Sequence, residues 1–150
     1  MDSKLENYLI KTFPQLYNEN FSFDCGNGWF RLILWLNRYL HDYIDDQNKL
    51  ASKNQDFKPV EQIKILRIKE KWGVLKIYTS GGNDHISSIL NFVSYISGFI
   101  CEHTGKTSDV GFNEYGCIKT HHSSISNKND FNYVDDEELR VILSNVDLKF

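Results

Sequence analysis

The residues best able to do chemistry lie between Glu61 and Tyr78. Lys64, Arg67, Lys69, Lys71 and Lys76 stand there against Glu61 and Glu70 alone, a local charge of +3 in a chain whose formal charge is −3, so the remainder carries −6. Side chains alternate along a strand. In a hairpin built from this stretch, Leu66, Ile68, Leu75 and Ile77 would share an inward face. Ile65, Arg67, Lys69, Lys76 and Tyr78 would share the outward one, with Trp72 at the tip. Such a face offers cations for ionised oxygens and rings for a base to stack on. The plainer reading is the wet side of a two-stranded ribbon kept soluble by lysine and arginine. The turn "CGNGW" (25–29) is a second candidate, because amides that begin a helix can hold an anion. Asn27 and Trp29 are the ligand-binding candidates there, against the simpler reading of a glycine turn with a cap.

Other groupings carry less. Cys101, His103, Cys117, His121 and His122 have metal-ligand chemistry, but structural zinc sites favour two ligands on one tight turn. Thr104 stands where a knuckle needs its second cysteine, so no bound metal is expected. "HDYIDD" (41–46) places His41 with Asp45, and Asp42 with Asp46, on adjacent helical turns. That spacing suits a divalent ion or acid–base work, and equally a solvated helix face. No P-loop, dinucleotide fingerprint, nucleophile elbow or His-Glu-x-x-His occurs. No catalytic residue and no cofactor is therefore assigned.

The elements that would position these groups are legible in outline. A short helix is predicted over 4–13, stopping at Pro14. The glycine turn leads into a long helix over 29–49, whose apolar stripe runs Trp29, Leu32, Ile33, Leu36, Leu40, Tyr43 and Ile44, widened by Trp35 and Tyr39. Strands follow at 62–69 and 74–79, joined tightly around "EKWG", with Gly73 free to take a positive φ. Asn83 or Asp84 caps a third helix reaching about Glu102, apolar on more than one side and so central. Residues 103–122 read as irregular with a small second hairpin, 123–130 as a polar loop, and 135–145 as a final helix whose acids suit the helix dipole. The fold class is α+β: a small antiparallel hairpin sheet packed on one face by two long helices, with an irregular C-terminal third.

A chain of 150 residues with 41% apolar and 14% aromatic content reads as a single globular domain, 1–150. A pI near 5.9 argues against general nucleic-acid binding. Residues 1–9 are too polar for a secretory signal. The apolar stretch 86–100 contains Ser87, Ser88, Asn91, Ser94 and Ser97 and is too short and polar to span a membrane. Three cysteines without a pairing framework suit reduced thiols in a cytoplasmic protein.

Three stretches together, "FDCGNGWF" (23–30), "RIKEKWGVLKIY" (67–78) and "ICEHTGK" (100–106), resemble in order and spacing a family of small uncharacterised phage and prophage proteins. That family carries an E-C-G-D-G-W-like turn, a V-K-E-K-F-G-G-L-R-F-Y-like hairpin and a C-E-x-C-G or C-E-x-T-G motif. Some of its members look like zinc-knuckle proteins; here Thr104 replaces a cysteine, His122 falls where a later one would be, and Asn27 stands in place of an aspartate. The resemblance implies a viral or mobile-element setting inside a bacterial host, where small proteins that block defences are common. The expectation is a non-enzymatic binding protein that sequesters a small anionic, nucleotide-like immune signal through Asn27, Trp29, Arg67, Lys69, Trp72, Lys76 and Tyr78. The alternatives are an inhibitor or immunity protein that binds another protein through the same surface, and a nucleotide-acting enzyme. Self-association into a homo-oligomer is left open.

Overall fold

The computed structural model describes residues 1–113, 118–121 and 131–133. Helix α1 (Ser3–Thr12) starts where the Asp2 side chain accepts from the Lys4 amide at 2.8 Å, and ends as Phe13 leaves the helical region ahead of Pro14. Strand β1 (Phe23–Asp24) precedes a single 3₁₀ turn, Asn27–Trp29, which opens helix α2 (Phe30–Lys53). Strands β2 (Lys64–Lys71) and β3 (Val74–Ser80) form the hairpin. Helix α3 (Asp84–Ser97) begins with the Asn83 side chain accepting from the Ile86 amide at 3.0 Å. Strands β4 (Asp109–Asn113), β5 (Ile118–His121) and β6 (Phe131–Tyr133) complete the described elements.

The chain is α+β with a small sheet. That first sheet is mixed: β3 runs antiparallel to β2, and β1 joins the other edge of β2 in parallel, Phe23 opposite Ile68. Two residues of strand leave no periodic trace, so β1 escapes a reading by pattern. β4 pairs antiparallel with both β5 and β6 in a second sheet, so a second hairpin does form within 103–122. The expected polar loop at 123–130 and final helix at 135–145 lie outside the described residues, as do Cys117 and His122.

One core joins Leu9 and Phe13 of α1, Ile33, Leu36 and Leu40 of α2, Ile86 and Val93 of α3, and the inner face of the hairpin. A β-bulge between Ile65 and Arg67 corrects the strict alternation expected along β2. The extra residue is Leu66. It turns to solvent and is 57% exposed, while Ile65 and Ile68 are both buried. On β3 the expected inward pair holds: Leu75 is fully buried, and Ile77 packs against the core opposite Ile68.

Helix α3 stops at Ser97, short of the expected Glu102. Gly98 lies where a Cβ would come within 3.3 Å of both the Val74 side chain and the Tyr95 carbonyl. The chain beyond it is claimed by other partners: the Ile100 carbonyl accepts from the Trp29 indole at 2.7 Å, and the Glu102 carbonyl from the Gly28 amide at 2.6 Å.

Candidate ligand-binding face

The register of β2 and β3 sets the outward face. Arg67 lies opposite Tyr78, Lys69 opposite Lys76, and Lys71 opposite Val74. Between Lys71 and Val74 the loop has two residues, Trp72 at φ 60 and Gly73 at φ 78. Positive φ at both positions is the type I′ geometry that matches strand twist. Gly73 adopts it without penalty; for Trp72 it is uncommon backbone. The Gly73 amide donates to the Glu70 side chain at 2.8 Å, which ties the turn to the strand before it. Glu70 also pairs with Lys119, so its charge is met on the other side of the ribbon.

Each outward cation has a distinct environment. Arg67 reaches Asp24 of β1 at 3.2 Å, an exposed pair that takes up part of its charge. Lys69 sits 5.6 Å from the centre of the Tyr78 ring, and Lys71 6.0 Å from that of Trp72. Lys76 is partly buried. Burial lowers its pKa from the ordinary lysine value, and the nearby charge of Lys71 lowers it further. Directly opposed like charges on a sheet face are destabilising, and Lys69 with Lys76 is such a pair. Lys64, the remaining cation of the stretch, turns away to the Pro14 carbonyl at 3.4 Å.

The structure thus brings five of the expected site residues together: Arg67, Lys69, Trp72, Lys76 and Tyr78. Asn27 and Trp29 sit at another corner. Trp29 is fully buried with its indole N–H held by Ile100, so it is a core residue and presents no surface to a ligand. The Asn27 side chain accepts from the Asp2 amide at 2.7 Å and ties down the start of α1. The Gly28 amide is already bonded to Glu102, which corrects the picture of a turn with open amides. A Cβ on Gly28 would lie 2.2 Å from the Cys101 carbonyl oxygen and 2.4 Å from the Gly105 nitrogen; one on Gly26 would lie 2.3 Å from the Glu102 oxygen. "CGNGW" and "CEHTG" are two halves of one interlock. A recess of about 440 Å³ opens beside it, lined by Asn27, Phe30, Arg31, Ile100, Thr104 and Gly105.

The remaining polar groupings resolve similarly. Burial pushes the Cys25 thiol up to about 12, the N-terminal ammonium opposing and Glu102 adding to the shift. It is therefore held as a thiol at neutral pH, without nucleophilic activation. Cys101 is buried, and among the described residues no three His, Cys, Asp or Glu side chains gather as metal ligands. His41 meets Gln15 at 2.9 Å, while Lys49 pairs with Asp45 and lies 4.0 Å from Asp46, an exposed helix face.

Two members of this face were not placed on it by the strand pattern. Asp24 arrives through the parallel β1, and Lys71 joins because β2 pairs for two residues beyond its expected end at 69. Among the described residues no helix is long and apolar enough to cross a membrane. No family model, curated protein or solved structure matches the chain.

Proposed function

We propose that the protein is a binding protein whose outward β2–β3 face, Lys69, Lys76 and Lys71 with Tyr78 and Trp72, engages an acidic surface on a partner protein. One observation carries this reading: Lys69 and Lys76 are placed directly opposite each other, and Lys76 is partly desolvated besides. Both features work against the isolated fold and favour an approaching anion. Exposed Trp72 and Tyr78 flank these lysines, and tryptophan, tyrosine and well-placed cations are the usual anchors of protein interfaces. The resemblance to phage and prophage proteins supports a partner that belongs to the host.

A second reading is a phosphate-bearing, nucleotide-like ligand, favoured by the seating of Lys69 over the Tyr78 ring. It ranks second because small-molecule sites bury most of their ligand in a concave pocket, whereas this face is an open ribbon.

Calorimetric titration separates the readings. A Glu/Asp-rich peptide and a nucleoside triphosphate are titrated into the wild type and the Lys69→Ala, Lys76→Ala and Tyr78→Ala variants. Peptide binding that weakens with salt, and by about tenfold in each lysine variant, supports the proposal, since a charge-assisted contact contributes roughly 1.5–3 kcal/mol. Nucleotide binding lost with Tyr78→Ala favours the second reading, and turnover of the nucleotide would make the protein an enzyme. Lysine variants that bind as the wild type does would reduce the face to a solvated edge.

A further inference from the structure

Strand β3 is paired on one side only. The hydrogen-bond parity of the ribbon is fixed at two places. The Ile65 amide points away from β3 and donates to the Leu16 carbonyl at 2.8 Å. The Leu75 amide points away from β2 and donates to the Ser97 hydroxyl at 2.7 Å. Ile65 lies opposite Thr79, and Leu75 opposite Glu70. In both pairs the backbone groups therefore face outward, and alternation adds Ile68 with Ile77 to them.

The polar groups on the outer edge of β3 are thus those of Leu75, Ile77 and Thr79. Helix α3 closes the start of this edge: Ser97 takes the Leu75 amide, and Gly98 packs near Val74. Beyond that point no described residue bonds the amide or carbonyl of Ile77 or Thr79 on this side. None of the residues from Lys76 to Ser80 is buried. β3 is also the last strand of its sheet. A row of unpaired amides and carbonyls is a template for one more strand.

The side chains beside this edge select what is added. A strand laid along β3 sets its side chains beside Lys76 and Tyr78 on one face, and beside Ile77 and Thr79 on the other. Lys76 already faces Lys69 of β2, so a carboxylate on its other side relieves a like-charge pair. The opposite face suits an apolar side chain against Ile77, which packs on the core. β3 contains no acid, so a second copy paired β3 to β3 brings Lys76 only further positive charge. Taking the β2–β3 face as the partner surface proposed above, we infer that β3 accepts an extended segment of the partner protein as an added strand. In that segment acidic residues alternate with apolar ones, the acids beside Lys76 and the apolar side chains beside Ile77.

The test uses a short peptide of alternating glutamate and valine in three forms: unmodified, N-methylated at the valines, and N-methylated at the glutamates. In a strand added antiparallel the valine amides face β3 and the glutamate amides face away; in a parallel one the two exchange roles. Calorimetry should show binding weakened by about tenfold or more by one methylated set and kept by the other, because only one set carries the backbone hydrogen bonds. Amide exchange followed by NMR gives a second readout. The Ile77 and Thr79 amides should exchange readily in the free protein and become protected by the unmodified peptide. Equal binding of both methylated peptides, still weakened by Lys76→Ala, overturns strand addition and leaves the basic face as the binding surface. Failure of the alternating peptide where a Glu/Asp-rich one binds does the same; failure of both removes the reading of the face as well. Ile77 and Thr79 amides already protected in the free protein show that the chain's own remaining residues occupy the edge, and overturn the inference too.

Discussion

At Gly28 the backbone of one turn lies against the backbone of another, with 2.2 Å between the position of a missing Cβ and the Cys101 oxygen. At Trp72 the backbone is also unusual, with φ 60, but the side chain stands in solvent. The two turns occur in two of the chain's most distinctive sequence stretches, and their physics is opposite. In the first, glycine is required because nothing larger fits, and the amides of Gly28, Cys101 and Gly105 are all bonded within the interlock. In the second, a bulky residue is kept where asparagine or glycine would be more comfortable, beside Lys71, whose charge helps lower the pKa of Lys76. The interlock is optimised for the fold. The hairpin tip retains local costs the fold does not need, and such costs concentrate at functional sites.

The sharpest way to break this comparison is Gly28→Ala. The new methyl meets backbone on two sides, so the expected loss is about 3 kcal/mol or more, the upper range for overpacking. Chemical denaturation reads it directly. A near-neutral result would mean that the two turns are not interlocked.

The next effect separates the faces of the ribbon. Ile68→Ala should cost about 2–4 kcal/mol as a core truncation. Leu66→Ala, two residues away in sequence but outside on the bulge, should stay within about 0.5 kcal/mol. Equal losses at the two positions would restore regular alternation and remove the bulge.

Trp72→Asn should act in the reverse sense. Relieving a non-glycine residue from the left-handed region is expected to raise stability by about 1 kcal/mol, while binding of the acidic peptide weakens. Thermal melting together with calorimetry measures both. A variant that loses stability would show that Trp72 has a packing role.

The smallest effect concerns Lys76. Its folded pKa is depressed, so charging it opposes folding. The folded state therefore gives up this proton before the unfolded state does. The penalty is fully present below the folded value and is relieved as pH rises toward the unfolded lysine value of about 10.4. Lys76→Met should accordingly be more stable than the wild type at neutral pH, with the difference closing on the alkaline side. A constant difference across that range would mean the lysine is fully solvated.

Local rules in the sequence set the three helices and the β2–β3 hairpin, and their order. Asp2 and Asn83 cap their helices, Pro14 closes one, α2 has a stripe at helical spacing, and Gly73 follows Trp72 in a two-residue loop. It also placed the basic stretch on one face, since the period of a strand fixes which side chains travel together. What tertiary structure alone decided is where those faces ended up. The bulge at Leu66 reversed the inward set on half of β2, because register depends on the partner strand. The parallel β1 brought Asp24 to Arg67 from 43 positions away. Trp29 left the candidate site for the core because its indole found a carbonyl 71 positions on. Local periodicity can say that two side chains share a face. Only the long-range contacts, which no short window contains, decide what that face meets.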